Sequence, residues 1–130
     1  MFIPNREELA WAAGFFDGEG SAHFAVGLRK KQTGGRVVFS QLHLNVAQAN
    51  REELERFQKA VGVGRIYGPY TNKGPNNKPH WRYFAGAFPS FQHVMVVLWP
   101  FLCSRKRAQL KKAHQAFITR PRGRGGRKPK

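Results

Sequence analysis

Carboxylates are the scarcest charged group in this sequence. Across 130 residues, 7 Asp and Glu stand against 23 Lys and Arg, a formal net charge of +16 at pH 7, and no acid follows Glu55. A surface so poor in anionic groups suits a polyanionic partner and disfavours a cationic one. Cysteine is nearly absent too: Cys103 alone excludes an intrachain disulfide framework and any all-cysteine metal site. Long apolar runs are also missing. The longest, Val94–Trp99, falls far short of the roughly 20 residues a membrane-spanning helix needs. Met1–Trp11 has no basic segment leading into an apolar one, so no secretory leader and an intracellular location are expected.

Hydrophobic residues are nonetheless 41% of the chain, enough for a packed core rather than a disordered polybasic segment. At this length one domain is the default. Residues 120–130 hold six basic side chains and no acid, which reads as a disordered basic tail. Residues 1–119, the expected single domain, still carry about +10 from 17 basic and 7 acidic side chains. The positive charge therefore belongs to the folded part as well as to the tail.

Asn5 followed by Glu8 marks a helix start, and Leu9, Ala12, Ala13 and Phe16 recur on one helical face. Asp17-Gly18-Glu19-Gly20 ends that helix. Strands are expected over Ser21–Leu28 and Val37–Gln48, joined by a polar turn through Gly34-Gly35. In the second strand Val38, Ser40, Leu42, Leu44 and Val46 share one face, and Phe39, Gln41, His43, Asn45 and Ala47 the other. Asn50 opens a second helix whose buried positions are Leu54, Phe57 and Val61, closed by Gly62. Val63–Gly68 and Trp81–Ala87 read as strands flanking a long loop, Pro69–Pro79. An apolar helix over Ser90–Trp99 stops at Pro100, and Ser104 is placed to cap a last helix to about Thr119. The order αββαββα plus a terminal helix predicts an α+β fold: a four-stranded antiparallel sheet with its helices on one face.

Two carboxylates where a helix ends lie at the negative end of its dipole, so something must offset them. A hard divalent cation with oxygen ligands would do so; an ordinary acidic turn is the plainer alternative. The wider segment, Ala12-Ala13-Gly14-Phe15-Phe16-Asp17-Gly18-Glu19-Gly20, resembles the LAGLIDADG motif of homing endonucleases. The likeness extends from Leu9 to about Phe117, through Gly62–Gly64 and a Pro-Phe-Leu-then-basic stretch at Pro100–Arg107. Ala12 replaces the usual leucine, and Glu19 the usual aspartate.

One motif per chain resembles the homodimeric branch of that family. The resemblance implies that two copies of the motif helix pack together through Ala10, Ala13, Gly14 and Gly18, whose small size permits close approach. It implies Mg²⁺ as cofactor, with Mn²⁺ able to substitute. Glu19 is then the metal ligand, with Asp17 as a structural or secondary ligand and Gly18 beside them. Gln48, at the end of the second strand, would lie near the attacking water. A basic side chain after Pro-Phe-Leu would face the same pocket. Counting from Leu102 selects Arg105 and counting back from Gln109 selects Lys106; Lys106 is slightly favoured.

Double-stranded DNA is the expected partner. Arg29, Lys30, Lys31 and Arg36 cluster at the first hairpin and Lys73 and Lys78 in the second, suited to phosphates. Gln41, His43, Asn45, Arg65, Tyr67 and Arg82 alternate along strands, suited to base edges. Arg51 is a further basic candidate beside Gln48. A strand of roughly 12 residues at ~3.3 Å per residue spans about 40 Å, hence roughly 10–12 base pairs per subunit at ~3.4 Å per step and a pseudo-palindromic target of about 20 for a dimer. The resulting expectation is a site-specific, intron-encoded DNA endonuclease. Its rival is a non-cleaving binder, such as an intron maturase with intron RNA as partner. Ile66-Tyr67-Gly68 matches half of the GIY-YIG nuclease pattern, but the glutamate that chemistry needs does not follow.

Overall fold

A computed structural model describes residues 1–71, 74 and 78–120, with the side chain of Arg29 excepted. The elements are α1 (Arg6–Glu19), β1 (Gly20–Lys30), β2 (Arg36–Gln48), α2 (Arg51–Val61), β3 (Arg65–Tyr70), β4 (His80–Ala85), α3 (Phe88–Leu98), a 3₁₀ turn at Trp99–Phe101, and α4 (Ser104–Ile118). The four strands form one antiparallel sheet in the order β1-β2-β4-β3. The fold is α+β, and the αββαββα order with its terminal helix is present as expected.

All the helices draw on one core. Leu42, Leu44 and Val46 of β2 and Tyr83 and Ala85 of β4 are buried against Leu9, Ala12, Ala13 and Phe16 of α1, Leu54, Phe57 and Val61 of α2, Phe91, Val94 and Leu98 of α3, and Leu110 and Ala113 of α4. The period-2 alternation of β2 therefore decides which face the helices cover. The Tyr83 ring is buried and its hydroxyl donates to the Val63 carbonyl at 2.8 Å; burial pushes this phenol well above its ordinary range. Among the described residues no helix is long and apolar enough to cross a membrane.

Three local expectations change. β3 runs to Tyr70 and β4 begins at His80, so the second hairpin loop is shorter than Pro69–Pro79. α3 begins at Phe88 rather than Ser90, because Ala87 is extended and Pro89 fits the first turn, where no amide donor is needed. Cys103, not Ser104, is the N-cap of α4, with no side-chain cap bond of its own. Asn5 accepts from the Glu8 amide as expected, but the Glu8 carboxylate turns outward to form two 2.9 Å bonds with Arg56 of α2. That guanidinium lies 4.0 Å from the centre of the Trp11 ring and holds the Glu8 carboxyl below its usual range. Lys73 and residues 121–130 of the basic tail lie outside the described residues.

Candidate active site and nucleic-acid interface

α1 ends where β1 begins, so Glu19 is the last helical residue and Gly20 the first of the strand. The junction is tight. A Cβ on Gly20 would lie 2.0 Å from the buried Phe16 ring, so glycine is required by close approach rather than by backbone angle. Glu19 is exposed, and its carboxylate has no partner among the described residues.

Asp17 behaves differently. Its two carboxylate oxygens accept from the Cys103 amide at 3.2 and 3.3 Å, at the N-terminus of α4. Anion and positive helix end attract, and the unpaired first-turn amide is satisfied. The carboxylate that is unfavourable at the end of α1 is thereby offset by the start of another helix.

α4 returns to the same junction with two side chains one turn apart. Lys106 is only 8% exposed; its ammonium donates to the Gly20 carbonyl at 2.5 Å and lies 5.5 Å from the centre of the Phe16 ring. Gln109 accepts from the Ala22 amide at 2.9 Å, satisfying a donor on the outer edge of β1. Arg105 points to solvent. Of the two basic candidates, Lys106 is therefore the one held against the motif. Buried lysines are rare, and a carbonyl plus a ring face is modest compensation for the lost water.

Gln48 belongs to the same end of the sheet. Val46 pairs with Gly20 in the β1–β2 register, so Gln48 lies two residues, ~7 Å, beyond that pair. It is half-buried opposite Trp81. Arg51 opens α2 and is paired at 2.9 Å with Glu55 in an exposed contact, worth only about 0.3–0.5 kcal/mol.

The outer surface of α1 is open. Ala10, Gly14 and Gly18 recur every fourth residue and are exposed, and an added Cβ at Gly14 or Gly18 would meet nothing within 4 Å. Ala13 is not part of that stripe. It is fully buried in the chain's own core, because the apolar face at Leu9, Ala12, Ala13 and Phe16 turns toward the sheet.

The sheet face opposite the core carries the expected polar row. Register aligns Gln41 with Ala25, His43 with His23, Asn45 with Ser21 and Phe84, Phe84 with Arg65, and Ala47 with Arg82 and Tyr67. Lys30, Lys31 and Arg36 are exposed at the tip of the first hairpin and Lys78 in the second. The Arg82 guanidinium lies 5.7 Å from the centre of the Tyr70 ring. The sequence reading missed His23, although the alternation from Ser21 along β1 would have placed it on this face.

Neither a protein-family model nor a curated protein matches the sequence. Solved structures do match. The homing endonuclease I-CvuI, bound to the I-CreI target in the presence of magnesium with the DNA uncleaved, superimposes with a TM-score of 0.66 at 24% identity, over 87% of this chain and 67% of that one. The archaeal intron-encoded homing endonuclease I-Vdi141I, in complex with DNA, gives 0.62 at 21% identity, over 88% and 71%. The LAGLIDADG meganuclease I-AabMI, bound to uncleaved DNA, gives 0.60 at 24% identity over 85% of this chain.

The fold is that of the LAGLIDADG homing endonucleases. This chain spans only 36% of the meganuclease, against about two thirds of I-CvuI. Within the LAGLIDADG fold seen here, the motif helix ends in one unpaired carboxylate, Glu19, with a buried lysine braced on the next carbonyl.

Proposed function

We propose that the chain is a homodimeric, Mg²⁺-dependent endonuclease that cuts both strands of a specific DNA duplex. The observation that carries this reading is the junction itself: an unpaired, exposed Glu19 one residue from the Gly20 carbonyl that holds the buried Lys106 ammonium. The acid-poor, polar sheet face and the DNA-bound structural neighbours support DNA as substrate.

The donor set fits the metal as half of a site. Among the described residues no group of three or more His, Cys, Asp or Glu is assembled, and Asp17 is engaged by α4. Mg²⁺ takes one or two carboxylates and fills the rest of its shell with water and substrate phosphates. Glu19, the free carbonyls of the last turn at Gly18, and a second Glu19 across the dimer axis would hold it. When bound, the ion supplies Lewis-acid stabilisation of the phosphate and a more acidic water.

The chain's own residues do the remainder. Lys106 places a fixed positive charge beside the scissile phosphate, in a site where little water screens it. The Gln48 amide orients a water at the sheet end. Asp17 acts by locking α4, and with it Lys106, to the motif helix. Arg65, Arg82, Gln41 and Asn45 read bases, and the hairpin lysines hold phosphates.

Incubation with a randomised plasmid library and Mg²⁺, followed by sequencing of cut ends, tests the whole reading. One recurrent site of about 20 base pairs is expected, abolished by a chelator. Binding of structured intron RNA without any cutting in Mg²⁺ or Mn²⁺ would replace it with the maturase reading.

Gly14→Leu tests the dimer separately. Because its Cβ meets nothing within the subunit, the circular dichroism spectrum should be unchanged. Sedimentation should shift from dimer to monomer, and cutting should disappear. A native protein that sediments only as a 14.8 kDa species, with or without DNA, contradicts the homodimer. Deleting residues 121–130 should flatten the dependence of log K on log salt, by up to about 0.9 for each phosphate the tail had neutralised, and leave the cut position where it was.

A further inference from the structure

His23 and His43 face each other directly across β1 and β2. Their ring centroids are 4.0 Å apart, edge to face, and the antiparallel register gives neither room to slide away. His43 also meets the Phe84 ring at 5.8 Å. Its Nδ1 is buried and has no hydrogen-bond partner. The chain closes off that nitrogen, so a partner from outside meets the pair through the exposed His23 ring and the His43 Nε2.

We propose that the His23–His43 pair is a DNA contact that engages the duplex in its singly protonated form, so that binding takes up a proton. This rests on the reading of the sheet as a DNA interface. The surroundings decide the sign. The ionisable groups that line the hollows beside the pair are Arg65 and Tyr67 of β3 with His43, and Lys112 of α4 with His23. None is an acid. Glu19 lies four residues before His23, ~13 Å along the strand. No carboxylate stands among these groups, and burial, with the neighbouring His23, keeps the His43 pKa below its ordinary value.

Duplex DNA reverses this, since it brings one negative charge per ~1.7 Å of axis. One imidazolium then gains a phosphate or a guanine acceptor. A second would meet the repulsion of two cations with ring centres 4.0 Å apart, which limits uptake to about one proton per subunit. A proton taken up on binding means that affinity rises as pH falls, by up to tenfold per pH unit for each proton. The base contacts of Gln41 and Asn45 have no such dependence, so the pair adds a proton-linked component to recognition.

The test measures binding of a duplex pool with a 24-base-pair randomised centre, by fluorescence anisotropy at pH 6, 7 and 8 and constant salt without Mg²⁺. Native protein should bind about tenfold more tightly at pH 6 than at pH 8. In His23→Gln/His43→Gln the slope should collapse, and affinity at pH 6 should fall toward the native value at pH 8. His80, His93 and His114 remain in that variant, so an undiminished slope assigns the linkage to them and overturns the proposal. Calorimetry of the native protein in Tris and in phosphate at pH 7 gives proton uptake without any substitution. A value near one per subunit supports the pair, and zero overturns it. Failure to bind duplex at any pH sinks the DNA reading itself; binding that is indifferent to pH sinks only this inference.

Discussion

Glu19→Gln should abolish cutting while leaving DNA binding intact. The substitution keeps the size and shape of an exposed side chain that has no partner among the described residues, so the fold has little to lose. What it removes is the one carboxylate at the motif helix end that is free to hold a cation. Loss of metal-supplied charge stabilisation is worth several kcal/mol, and at 1.36 kcal/mol per decade cleavage should fall by roughly a hundredfold to ten-thousandfold. Binding without metal should hold or improve. A carboxylate ~4 Å from a phosphate in water repels it by about 1 kcal/mol, so up to about fivefold tighter binding is expected. Single-turnover cleavage and metal-free anisotropy, on one selected target, separate the two effects. A variant that cuts as fast as native protein would show that the nuclease site lies elsewhere.

Lys106→Met and Arg105→Met should differ sharply, although the two residues are adjacent. Methionine matches the unbranched apolar stem of Lys106, so packing against Phe16 survives. The Gly20 carbonyl loses its donor, a stability cost of about 1 kcal/mol. If the ammonium also faces the phosphate, cleavage should fall about a hundredfold with affinity barely changed, since removing one preorganised charge donor typically costs that much. Arg105 is exposed and free of partners among the described residues, so its removal should weaken binding a few-fold at every pH. It should also reduce the salt slope by about one unit, with the rate on saturated enzyme unchanged. The reverse pattern, a rate loss from Arg105→Met alone, would assign the buried lysine to packing and the site to its neighbour.

These two experiments address different parts of one arrangement. Glu19 stands in solvent, where a ligand must be brought to it. Lys106 is held inside the chain by α4, which Asp17 fastens to the end of α1 and Gln109 to the first residues of β1. The proton-linked contact at His23 and His43 lies further along the same strands, so recognition and the proposed chemistry share one sheet without sharing residues.

Much of this was legible in the sequence because its physical causes are local. The alternation of Leu42, Leu44 and Val46 against Gln41, His43 and Asn45 fixes which face of β2 is buried, since side chains alternate at every residue of a strand. The helical spacing of Leu9, Ala12 and Phe16 fixes the inward face of α1, and Asp17-Gly18-Glu19-Gly20 fixes where it ends. The scarcity of acids leaves a surface suited to a polyanion. The rest depended on residues far apart in the chain. Counting from the flanking motif left Arg105 and Lys106 open; the helical spacing of Lys106 with Leu110 and Ala113 puts it on the inward face of α4, and only packing shows that it meets the Gly20 carbonyl. The family resemblance placed Ala13 with the small residues of an interface, whereas the helical spacing and the packing both turn Ala13 inward and leave Ala10, Gly14 and Gly18 open. Sequence spacing could not give Asp17 its partner, 86 residues away at Cys103. Nor could it pair His23 with His43, because a contact across two strands exists only once the β1–β2 register is set. Periodicity determines which way a side chain faces; only the packing of elements against one another determines what it meets.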